Sequence, residues 1–226
     1  MFWKSKNKKE ERIINIKFEN SMLMAKNIIN ENTNISLDDS EHPIYRAIHI
    51  FAFSIQSRLL QPIMTTVEYD IPKIDNLFYP PYHVLKENNI PLEIYEDSQN
   101  TTSVMLDFSK DVVFSIPWSP RRFIGAISNI SREEWLYHEL NHRAVFIEPF
   151  KIGLIENGFH SGSVGILNRK GVLPAEKLKM HCLYDWIETD GVYFYKKDSR
   201  KKLCEVQSFE EAVIFEIGRL IINHTR

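Results

Sequence analysis

Two clusters of residues carry chemistry by type and spacing. The first is Asn157-Gly158-Phe159-His160-Ser161, which follows an apolar run and precedes a small-residue segment, GSVGIL. Glycine enters positive φ at no steric cost and asparagine tolerates it, so Asn157-Gly158 reads as a sharp turn between a strand and a helix. A helix N-terminus offers unpaired N–H groups and the positive end of the helix dipole, which suits an anion such as phosphate. Asn157, Gly158, His160 and Ser161 are therefore candidate phosphate-binding residues. Read alone, the same residues also describe an ordinary tight turn.

The second cluster is His138-Glu139-Leu140-Asn141-His142, a literal HExxH. If it lay on a helix, His138 and His142 would share a face and could bind Zn²⁺, with Glu139 polarising a water for hydrolysis. Against this stand Arg143 directly after the second histidine and the strand-like AVFIEPF that follows. The other reading has His142 ordering the end of the helix, with no metal.

The elements that position these clusters follow from periodicity. Apolar residues at helical spacing predict helices over Ile13–Ile29 and from Ile44 to Leu59, the second stopped by Pro62. The polar stretch Asn30–Glu41 between them reads as a loop. His49 lies off the apolar stripe of the second helix, as a half-exposed residue. Ile71–Pro91, with Pro80-Pro81, reads as a connection without sustained period. VMLDF and VVFSI, within Ser103–Ile116, are β-rich. Ser119 and Pro120 suit the start of a helix through Ile130. Ser131 with Glu134 forms a capping box for a helix SREEWLYHELNH. Ala144–Ile147, Ile152–Ile155, Leu183–Glu188 and Val192–Tyr195 read as strands, the last two around a Thr189-Asp190-Gly191 turn. KKDSRKK (Lys196–Lys202) reads as a solvated hairpin loop, or as a phosphate-contacting patch. Ser208 with Glu211 caps a terminal amphipathic helix.

Composition bounds the rest. At 226 residues, with 43% hydrophobic and 12% aromatic residues, the chain can build a packed core. A net charge of -2 and a pI near 6.5 supply no global basic field for nucleic acid. Cys182 and Cys204 form no CxxC pair and read as reduced core residues. The charged N-terminus, with Lys4, Lys6, Lys8 and Lys9, reads as solvated, and it lacks the apolar run of a signal peptide. No segment has the length of a membrane helix, so a cytoplasmic location without membrane association is expected. Trp118, Trp135 and Trp186 read as core or rim aromatics.

The order of strand, W-S-P-R-R, helix, strand with E-P-F, then I-E-N-G-F-H-S-x-x-x-G-I resembles the ParB/sulfiredoxin-like superfamily. With P-W, R-F, A-I, N-H and the late F-E-I-G-R-L, from Ile116 to Leu220, it looks still more like a bacterial family catalogued as a domain of unknown function. The resemblance implies an α+β fold: a small mixed sheet with flanking helices over residues 103–226, preceded by a helical N-terminal region and proline-rich connection over 1–102. It further implies a turn that binds a nucleotide or nucleic-acid phosphate, possible Mg²⁺ with the nucleotide, and nuclease or phosphotransfer activity. Ser161 stands where the superfamily has its phosphate-gripping Arg, so Arg121, Arg122 or Lys170 would have to supply that charge. Phe159 stands where sulfiredoxin has its reactive Cys, which removes that chemistry. By position and resemblance, Glu156 with His160 is the candidate catalytic pair, Glu156 as general base. Two rivals remain open at this point: a zinc-dependent hydrolase at residues 138–142, and a non-catalytic regulatory protein that acts through a protein partner.

Overall fold

The computed structural model describes residues 8–65, 77–91, 103–130 and 134–225. Lys4, Lys6 and Ser131 lie outside them, as do residues 71–76 of the expected connection. The helices are α1 (Lys8–Glu31), α2 (Ile44–Leu60), α3 (Pro62–Thr65), α4 (Tyr82–Glu87), α5 (Pro120–Ile130), α6 (Phe159–Asn168) and α7 (Phe209–Thr225). The strands are β1 (Ser103–Asp107), β2 (Val113–Phe114), β3 (Arg143–Glu148), β4 (Ile152–Asn157), β5 (Val172–Lys179), β6 (Ile187–Thr189), β7 (Tyr193–Lys196) and β8 (Lys202–Glu205). The fold is mixed α+β.

The chain forms two compact units, each discontinuous in sequence. One unit takes Met1–Phe51, Asn76–Leu92 and His181–Arg226; the other takes Ala52–Asp75 and Glu93–Met180. The C-terminal 46 residues or so therefore belong with the N-terminal helix rather than with the strands that precede them.

The unit that carries both chemical clusters is built on a five-stranded sheet in the order β1-β5-β3-β4-β2. β1 pairs antiparallel with β5, β5 parallel with β3, β3 antiparallel with β4, and β4 parallel with β2. Leu106, Val113, Phe146, Ile155 and Leu173 form its buried core together with Phe108 and Trp135. Phe123 of α5 and Val164 of α6 close on Ile63 of α3 in a second small cluster. These contacts lay α5 and α6 against each other.

β5 has no counterpart in the sequence reading, because Pro174 and the charged Glu176-Lys177 mask its alternation. Leu173 and Ala175 alternate into the core, and Leu178 is buried out of step with them. Proline cannot donate to a ladder. Here it has no need to: pairing with β3 starts at Val145 opposite Glu176, so Pro174 has only β1 beside it, opposite Met105.

The other unit holds the three-stranded sheet β6-β7-β8, with α1 packed on α7. Phe215 of α7 meets Phe194 of β7 edge-on at 5.5 Å and Tyr184 at 4.8 Å. The strand expected over Leu183–Glu188 opens instead as a 3₁₀ turn, His181–Asp185, and becomes extended only at Ile187. The Arg219 guanidinium holds this turn, taking the carbonyls of Tyr184 and Ile187 and pairing with Glu216. The hairpin loop expected over Lys196–Lys202 is present, between β7 and β8. Within it Lys196 pairs with Asp198 and Lys201 reaches Asn88. Cys182 and Cys204 are free thiols, half-buried rather than fully in the core.

Candidate functional site

β4 ends at Asn157, and Gly158 turns the chain into α6 with φ +81°. Space as well as φ demands glycine there: a Cβ would lie 2.3 Å from His142 Cδ2 and 2.8 Å from the Asn141 carbonyl. The first intrahelical bond runs from Gly162 N–H to the Gly158 carbonyl at 2.8 Å. No side chain caps this N-terminus, and no acid stands in its first turn. The strand, turn and helix start expected at Asn157–Ser161 are thus in place.

Two neighbouring segments hold the turn. On one side, the Ser119 N–H donates to His160 Nε2 at 3.1 Å. Because a backbone N–H can only donate, this nitrogen is the acceptor, and the neutral ring carries its proton on Nδ1. Trp118 meets His160 edge-on at 5.2 Å, and the Arg122 guanidinium lies 4.7 Å over the Trp118 ring. Ser119 is buried and caps α5, its Oγ accepting the Arg122 N–H at 3.4 Å. Beneath, the Ser115 and Ser163 hydroxyls both donate to the Phe159 carbonyl. Burial, and then the charge of Arg122, hold the His160 imidazole below its ordinary range.

On the other side lies the segment 134–142. The helix expected over SREEWLYHELNH is absent from Glu134 onward; only a single turn at His138–His142 closes on the His138 carbonyl. The side chains explain why. Trp135 is buried while Leu136 and Leu140 are 74% and 87% exposed, so no helical stripe forms. The indole N–H of Trp135 goes to the Ser161 carbonyl at 2.8 Å, and its ring stacks on His142 at 4.7 Å. His142 Nδ1 accepts the His138 N–H at 2.9 Å, which leaves the ring proton on Nε2. Ser161 Oγ accepts that proton at 2.7 Å, and the Asn141 amide, 3.2 Å from the same nitrogen, then faces it with its oxygen. Ser161 in turn donates to the Gly158 carbonyl at 3.1 Å.

This geometry bears on several expectations. The segment 138–142 forms a single turn rather than the helix that the HExxH reading needs, and His142 Nδ1 and Nε2 face the His138 N–H and Ser161 Oγ. Glu139 is exposed. The close pair of Ser161 and His142 resembles a nucleophile and its base, but the proton runs the wrong way: a general base must accept from the hydroxyl, and His142 donates to it. Burial, then the neighbouring His138, holds the His142 imidazole below its ordinary range. Glu156 faces Arg143 across the β3–β4 pair, with Oε2 at 3.1 Å from Nε. Asn157 is exposed at the mouth of the turn. Arg122 joins the turn through Trp118, whereas Arg121 and Lys170 are exposed and make no hydrogen bond or ion pair with it among the described residues.

A family model described as a family of unknown function, DUF6710, matches residues 3–226. The chain belongs to the DUF6710 family. No curated protein and no solved structure matches this DUF6710 chain. No helix among its described residues is long and apolar enough to cross a membrane.

Sequence reasoning missed the parts of this DUF6710 site that come from far along the chain. Trp135 reaches Ser161 across 26 residues and Ser119 reaches His160 across 41. The signals available were the Ser119-Pro120 cap, which was legible, and Trp118, which the composition could place only as core or rim. At 44% exposure it is a rim residue.

Proposed function

We propose that the paired helix starts at Ser119–Arg122 and Gly158–Ser161 bind a phosphate-bearing anion, such as a nucleotide or a nucleic-acid end. The observation that carries this reading is the hydrogen bond from the Ser119 N–H to His160 Nε2, which ties the first turns of α5 and α6 together. Neither first turn contains an acid, and Arg122 stands beside both. Two positive dipole ends and one guanidinium, uncompensated by carboxylates of their own, favour negative charge. His160, neutral with its proton on Nδ1, adds a donor and no acceptor. The ParB/sulfiredoxin-like arrangement suggested by the residue pattern supports the same reading, with Arg122 supplying the charge that Ser161 lacks.

The role of the turn in this proposal is binding. Ser161 accepts a hydrogen bond from His142 and donates one to the Gly158 carbonyl, while Glu156 is paired with Arg143, so neither stands as a free nucleophile or base. The test is a thermal-unfolding panel of phosphate, pyrophosphate and nucleotides. A ligand at a hundred times its Kd stabilises the native state by about 2.7 kcal/mol, a readable shift. Arg122→Ala and His160→Ala are expected to abolish it. A panel without any shift, or a shift indifferent to both substitutions, sinks the proposal.

A further inference from the structure

Two histidines hold the first turn of α6 by the same device, each accepting a backbone N–H from a different segment. His160 Nε2 accepts from Ser119 at 3.1 Å, and His142 Nδ1 accepts from His138 at 2.9 Å. We infer that His142 and His160 form an acid-sensitive latch on this turn, closed while both rings are neutral and opened when either takes a proton from solvent at its accepting nitrogen. An imidazolium carries N–H at both nitrogens. The new N–H would then point at another N–H across about 3 Å, two donors with no acceptor between them, and the ring must leave its place.

What each ring touches makes its departure matter. His160 leaving releases Ser119, the cap of α5, from the start of α6. His142 leaving releases Ser161 Oγ, takes away the ring stacked on Trp135, and empties the space against which Gly158 is packed. Both losses fall on one helical turn, so either proton loosens it.

The surroundings offer an imidazolium no compensation. From α5, the charge facing His160 is the cation Arg122; the other groups around that ring, Trp118 and Ser119, are uncharged. Around His142 the titratable neighbours on its own segment are His138 and Tyr137, and α6 offers only the Ser161 hydroxyl. Beside it in the sheet, Glu156 is paired with Arg143. Among the described residues no carboxylate is hydrogen-bonded to either ring. Both rings accordingly titrate below the ordinary histidine value of 6.5, for reasons of burial first and neighbouring positive charge second. The sign follows: between those lowered values and 6.5 the unfolded chain binds more protons than the folded one. The turn is therefore fully held above that value and loosens as pH falls through it. Each histidine can multiply the open population by up to about tenfold per pH unit in that window.

The experiment is an NMR titration of the full chain with ¹⁵N-labelled histidine, without added anion, so that it stands apart from the phosphate reading. At pH near 7.5 the expected tautomers are Nε2–H for His142 and Nδ1–H for His160. On acidification both should titrate below the ordinary value, and the protection of the Ser119 and His138 amides should fall by up to about tenfold per pH unit over the same range. His142→Gln and His160→Gln keep an amide oxygen that accepts an N–H at every pH, and each should remove its half of the acid response. The latch is refuted if either ring titrates at or above the ordinary value, or if the two amides keep their protection while the rings charge. Should a glutamine variant fail to fold, the tautomers and amide protection of the unaltered chain decide the matter alone.

Discussion

The N-termini of α6 and α7 solve the same problem in opposite ways. At α7 the chain completes itself: Ser208 Oγ accepts the Glu211 N–H at 3.3 Å and donates to the Glu211 carboxylate at 3.1 Å, and Glu210 and Glu211 set negative charge against the dipole. At α6 the N-cap is a glycine, no side chain caps it, and the first turn holds no acid. Its side chains are committed sideways, His160 to Ser119 and Ser161 to His142. A helix start satisfied by its own carboxylates leaves little positive potential for an external anion, whereas one held by its neighbours keeps its dipole uncompensated, the feature on which the anion-binding proposal rests.

The comparison can be broken most severely at Gly158. Gly158→Ala imposes a Cβ on a φ of +81° and drives it into His142, and should cost about 3 kcal/mol or more, read as a lower unfolding midpoint. A cost below about 1 kcal/mol, the ordinary penalty of alanine at positive φ, would mean that the segment 134–142 does not abut the turn. Next in size is the closed helix start. Ser208→Ala removes the cap and a partner of the buried Glu211, and denaturant unfolding should show a loss of about 1–2 kcal/mol. Ser161→Ala leaves the His142 Nε2–H without its acceptor, with an expected loss of about 1 kcal/mol. The same variant sharpens the contrast, because it should raise hydrogen exchange at the start of α6 and leave α7 unchanged. Smallest is Arg122→Ala: an exposed cation over Trp118 contributes only about 0.5–1 kcal/mol, so unfolding should hardly move while any anion-induced shift disappears.

Local chemistry was read where it is written in neighbouring residues. Ser119-Pro120 and Ser208 with Glu211 announce α5 and α7, because caps act within one turn of the helix. Asn157-Gly158 announces the turn, since few residue pairs tolerate positive φ. The segment 134–142 shows the limit. Its HExxH spacing implies a helix, yet Trp135 is drawn into the core and His142 toward Ser161, and these distant contacts outweigh local propensity. β5 shows the reverse, a strand hidden by Pro174 and revealed only by where its partners begin.

The sequence by itself determined the mixed α+β class, the helices at both ends, the strand-turn-helix at Asn157–Ser161 and the glycine that it requires. Those features rest on periodicity, caps and φ, all of which act over a few residues. Only the tertiary structure decided which imidazole nitrogen accepts and which donates, that Ser161 is an acceptor for His142, and that Arg122 rather than Arg121 joins the turn. Each of those depends on a backbone N–H or a ring brought in by the fold. A side chain's type names what it can do, and its partner decides which of those things it does.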